Sequence, residues 1–117
     1  MRQFCAVFVR IGLTAGDVGV SWLLPRTIGL THAKELLLTG REIGGEEARQ
    51  IGLVNRVVAY EDLEMATLDL AASIAEHSTF GVATSKQTVR SNLEIPSLGA
   101  ALDLENRGQT LASKAPD

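Results

Sequence analysis

The stretch CAVFV, Cys5 to Val9, is apolar on both faces, and this limits the chain more than any other feature. Its β-branched and aromatic side chains read as a buried strand of a parallel sheet, not as a surface strand with alternating faces. Such a strand needs neighbours, because unpaired backbone groups inside a core are costly. The rest of the chain offers one short extended piece, RVVA (Arg56 to Ala59), among several helical segments. The expectation is that a partner supplies the neighbours, or that the chain is the latter part of a larger fold.

The strand runs into RIGLTAGDVGVSWLLPRTIG, which sets Gly12, Gly16, Gly19 and Asp17 ahead of an apolar run. Turns of this type sit where a sheet presents its edge to a ligand. Val18 to about Leu24 suits a short helix that Pro25 should end or kink. Thr31 is expected to cap a helix over HAKELLL that stops at Thr39-Gly40. GGEEARQIGLV reads as a second small helix, with Glu46 and Glu47 in its positive first turn and Gly52 closing it.

From Glu61 onward the pattern is helical. Leu63, Ala66, Leu70, Ile74 and Ala75 fall on one stripe at helical spacing. A further helix is predicted over Val82 to Asn92, and another after IPS with Ser97 as its N-cap. In that last helix Leu98, Ala101, Leu102 and Glu105 share one face, and Leu104, Gly108 and Leu111 another, which suggests contact on two sides. Residues 1–59 thus carry the strand, the glycine turn and short helices, and residues 60–117 form a helical region. The chain contains no repeat, low-complexity segment or linker.

With 45% hydrophobic and 21% charged residues over 117 positions, the composition is that of a globular protein with room for one modest core. The net charge of −3, with scattered cations, gives no basic patch for nucleic acid. No run approaches the ~18 apolar residues of a membrane span, and the apolar stretch before Arg10 is too short for a signal peptide. Cys5 stands alone, so a reducing cytoplasm is the expected compartment. His32 and His77 have no partners at metal spacing, so no metal site is expected. The glycines match neither a phosphate-binding loop nor G-x-G-x-x-G.

The segment from Gly12 to Val58 resembles the enoyl-CoA hydratase/isomerase (crotonase) superfamily. The resemblance rests on Leu24-Pro25-Arg26, Gly29, Ala33, Glu35-Leu36, Leu38-Thr39-Gly40, Glu47-Ala48, Gly52-Leu53-Val54 and Val57-Val58. The tail from Leu63 to Ala112 fits more loosely. The resemblance implies an α/β fold of the crotonase spiral type, truncated to its C-terminal portion and mostly helical, with one or two short strands. Residues 1–59 would be the end of the spiral core, and residues 60–117 an incomplete trimerisation-type region. Both oxyanion-hole peptides would lie outside the chain.

The implied activity is hydration or isomerisation of acyl-CoA thioesters in fatty-acid metabolism, with little activity from this chain alone. CoA would enter as part of the substrate, with no separate cofactor and no metal, and the assembly would be a homo-oligomer. Rival readings are a dienoyl- or enoyl-CoA isomerase using Asp17, and a non-catalytic remnant or assembly module. Family hydratases use two glutamates; Phe8 stands where the second is expected, and phenylalanine cannot take a proton.

Asp17-Val18-Gly19 matches the tripeptide that carries a proton-shuttling aspartate in isomerase-like members, with one extra residue in the turn before it. Two readings of Asp17 stay open, a helix N-cap and a catalytic base. Gly16 corresponds to a glycine whose backbone helps hold water or substrate, or it serves only the turn. Trp22 lines an acyl pocket or belongs to the core.

Overall fold

The computed structural model describes residues 2–115 as two compact units, divided between Ala59 and Tyr60. The first holds β1 (Phe4–Cys5), a 3₁₀ turn (Phe8–Ile11), α1 (Val20–Ile28), α2 (Leu30–Thr39), β2 (Glu42–Ile43) and α3 (Gly45–Gln50). The second holds a 3₁₀ turn (Tyr60–Asp62), α4 (Leu63–Ala75), α5 (Thr79–Asn92) and α6 (Leu98–Ala112).

The CAVFV strand is largely overturned. Only Phe4–Cys5 is extended, and it pairs antiparallel with β2 in the register Phe4–Ile43 and Cys5–Glu42. Phe8 and Val9 lie in the 3₁₀ turn, whose amides bond locally, for example Arg10 N to Val7 O at 2.9 Å. The physical reason is backbone satisfaction: with no second neighbour to complete a ladder, i→i+3 bonds serve those peptides better. RVVA is not a strand either. Its Val57 instead packs over the start of α3, where a Cβ on Gly45 would come within 3.3 Å of Val57 Cγ1.

Pro25 lies inside α1 and does not end it. The helix runs on for three residues to Ile28, which is buried, and closes where Gly29 N donates to Pro25 O at 2.9 Å. The proline removes one amide from the ladder, and the packing of α1 on α2 carries the helix through. Thr31 is not a cap. Gly29, at φ 88°, precedes α2, which begins at Leu30. Gly40 ends α2 at φ 63° as expected, and its own Cβ position is taken by the Arg10 stem, 2.7 Å away. Both the left-handed backbone and the close approach require glycine there.

The core of the first unit is small: Ile28, Ala33, Leu36, Leu37, Ile43 and Ala48. Ala33 and Ala48 are fully enclosed, and Leu24, Ile51, Leu53 and Val54 pack around them. Of the motif residues on α2 and α3, Ala33, Leu36 and Ala48 are therefore packing residues. Glu46 and Glu47 occupy the first turn of α3 and Gly52, at φ 86°, follows its end, both as expected.

In the second unit all three helices form. Ser78 Oγ accepts from Gly81 N at 3.1 Å and starts α5 three residues earlier than expected, at Thr79. Ser97 Oγ accepts from Ala100 N at 3.2 Å, the expected cap of α6. The α5–α6 pair closes at Gly108, where a Cβ would meet Thr84 Cγ2 at 3.4 Å. The α4 stripe is helical but uncovered: Leu63, Leu70 and Ile74 remain exposed.

Candidate functional site

The glycine turn between the first 3₁₀ segment and α1 positions the candidate acid. Gly12 (φ 82°) and Gly19 (φ 81°) take left-handed conformations at its two ends. Gly16 N donates to Thr14 Oγ1 at 3.3 Å inside it, and Gly16 is exposed with open backbone around it. Gly16 itself is not among the positive-φ glycines, so conformational freedom alone does not account for it.

Asp17 is exposed at the tip of the turn. Its Oδ1 accepts from the peptide N–H of Val18 at 2.8 Å, and its carbonyl accepts from Val20 N at 3.0 Å. The expectation that its side chain caps the helix is corrected. Gly19 is the N-cap of α1, and no side chain bonds the first helical amides. An intervening left-handed pair, Val18 and Gly19, turns the Asp17 carboxylate away from those amides. Among the described residues no cation pairs with it. The arrangement leaves an exposed carboxylate with one tethering hydrogen bond.

Trp22 lies in the first turn of α1 and is 37% exposed. Arg26 stacks over its ring at 3.7 Å from the centroid and donates to Trp22 O at 2.9 Å. Trp22 is therefore neither an enclosed core residue nor the wall of an enclosed pocket in this unit. Asp17 and Trp22 both lie on the exposed segment that leads into and begins α1. Phe8 is half-buried in the 3₁₀ turn.

A cluster that sequence reasoning missed joins the short elements behind this turn. Arg41 donates to Glu35 Oε2 from Nε at 2.9 Å and from Nη2 at 2.6 Å, and pairs with Glu47 through Nη1 at 3.1 Å. Arg49 pairs with Glu46 one turn away on α3. The Arg41 hydrogen bonds hold the Glu47 carboxyl below its ordinary range, and Arg49 does the same for Glu46. The Arg41 pairs tie α2 to α3, and the Arg49–Glu46 pair lies within α3. Arg41 stands six residues from each glutamate, across a strand, so no helical spacing announced it.

Arg10 and Cys5 converge on the Gly40 carbonyl. Cys5 Sγ donates to it at 3.1 Å and Arg10 Nη1 at 3.3 Å, which fastens the first turn to the end of α2. Among the described residues no three His, Cys, Asp or Glu side chains converge to hold a metal, and no helix is long and apolar enough to cross a membrane.

A model of the family described as enoyl-CoA hydratase/isomerase matches residues 2–115. The chain is 44% identical over 91% of its length to "Probable enoyl-CoA hydratase EchA12" of Mycobacterium tuberculosis, covering 37% of that protein. It is 36% identical over 98% of its length to 1,2-epoxyphenylacetyl-CoA isomerase of Escherichia coli, covering 43% of it. Among solved structures, "a putative enoyl-CoA hydratase from Thermobifida fusca YX in complex with acetoacetyl-CoA" superposes with a TM-score of 0.87. It is 27% identical, with 96% of this chain and 43% of that one covered. The chain spans roughly two fifths of the curated relatives it matches. These likenesses carry the family and the crotonase-type α/β fold; they do not carry the expected C-terminal position within it. The chain belongs to the enoyl-CoA hydratase/isomerase family.

Proposed function

We propose that a family-length protein carrying this segment moves the double bond of an enoyl-CoA thioester, with Asp17 as the group that carries the proton. One observation carries this reading: the Asp17 carboxylate stands exposed, tethered by a single amide and not engaged as a cap. The carboxylate would take a proton from a carbon next to the double bond. The electron pair released would move into the thioester carbonyl as an enolate. The exposed carboxylic acid so formed would exchange with solvent and return a proton at the other end of the system. Hydration by paired glutamates is disfavoured in this reading, since by the resemblance Phe8 stands where the second one is expected. The likeness to an isomerase acting on a CoA thioester, and to a neighbour holding acetoacetyl-CoA, supports the same substrate class.

In this reading CoA is part of the substrate, with no further cofactor, and the setting is acyl-CoA metabolism in a reducing cytoplasm. Mass spectrometry of the product tests it. A shifted double bond without gain of water, with solvent deuterium entering the acyl chain, is expected from the family-length protein. The 117-residue chain alone should match a heat-killed control, as it spans only about two fifths of its relatives. Stoichiometric hydration, or turnover by the short chain, would overturn the proposal.

We also infer a homo-oligomer, of trimer type by resemblance, built through the helical unit. The support is the uncovered apolar surface of α4, where Leu63, Met65, Leu68, Leu70 and Ile74 are exposed. Sedimentation should show a species larger than one chain at micromolar concentration. A monodisperse monomer with a cooperative melt would exclude it.

A further inference from the structure

Val18 has φ 46°, the left-handed region, and is the one non-glycine residue there among those described. A β-branched side chain is a genuine outlier in that conformation, which glycine would adopt without strain. Burial does not compensate within this chain, because Val18 is 82% exposed. Strain of this kind persists where it serves a site. What Val18 adjoins is specific. Its peptide N–H donates to the Asp17 carboxylate at 2.8 Å, and Gly19 beside it is the N-cap of α1. The isopropyl group follows the acid directly in the chain on the same exposed tip, and its branching at Cβ leaves it little rotamer freedom.

We propose that Val18 sets substrate shape: its isopropyl group forms a rigid wall beside Asp17 that excludes acyl chains branched or aryl-substituted at the reacting carbons. This rests on the reading of Asp17 as the proton carrier. A smaller residue at the same φ would keep the amide on the carboxylate and remove only the wall. One methylene more or less in an apolar pocket shifts discrimination by about 10–200-fold.

The test compares kcat/KM for linear and β-branched enoyl-CoA thioesters in a family-length protein, for the parent, Val18→Gly, Val18→Ile and Asp17→Asn. Val18→Gly should shift the ratio towards the branched substrate by at least about tenfold, with a melting temperature no lower than the parent's. Val18→Ile should keep the linear preference. An unchanged ratio in Val18→Gly, with Asp17→Asn inactive, would overturn the Val18 inference alone. A sharp fall in the melting temperature of Val18→Gly would also overturn it, since the valine would then be a packing residue. Parental turnover in Asp17→Asn would instead remove the reading on which it rests.

Discussion

Asp17→Asn in a family-length protein should lose about 10²–10⁴ of its isomerisation rate, the usual worth of a positioned acid–base group, while melting close to the parent. The two halves of that expectation come from the geometry of the turn. Asparagine keeps a side-chain oxygen that can accept from the Val18 amide, so the tether seen at 2.8 Å survives. No helical amide depends on the carboxylate, since Gly19 caps α1 without a side-chain bond. Asparagine cannot take up the proton. Asp17→Ala should lose the rate as well and soften the turn, but should not unravel α1. Turnover within a few-fold of the parent in a folded Asp17→Asn protein would end the catalytic assignment. A large fall in melting temperature would show that the carboxylate is structural.

Leu36→Ala should destabilise the first unit by about 2–5 kcal/mol, the range for a leucine removed from a packed core. Leu36 is 6% exposed and is one of the six buried residues that make up this small core. The fully enclosed Ala33 and Ala48 beside it have no reach with which to fill the void. Leu38, two positions along α2, is 70% exposed, and Leu38→Ala should change stability by no more than about 0.5 kcal/mol. Chemical denaturation of the pair separates the two. Equal effects would mean that the face of α2 assigned to the core is wrong.

The same contrast shows how much the sequence disclosed. Helix existence was legible wherever local chemistry sets it. The cap at Ser97, the glycine stop at Gly40 and the acidic first turn of α3 act through neighbouring residues, and all are present. The family was legible too, because the motif from Leu24 to Val58 combines core spacing with those same stops. The position of Asp17 at a glycine-framed tip followed from the glycines themselves. Its role as a cap did not survive, because Val18 enters a left-handed conformation that valine's own preference argues against.

Tertiary structure decided what depends on partners distant in the chain. CAVFV has the composition of a strand, yet a strand exists only where another edge meets it, and β2 meets just Phe4 and Cys5. Pro25 has the chemistry of a helix end, but packing on α2 outweighs one missing hydrogen bond. Arg41 finds Glu35 and Glu47 only once α2, β2 and α3 have folded together. Local preferences of a kilocalorie or less set the segments in advance; burial and pairing, worth more per residue, fix which of those preferences the folded chain keeps.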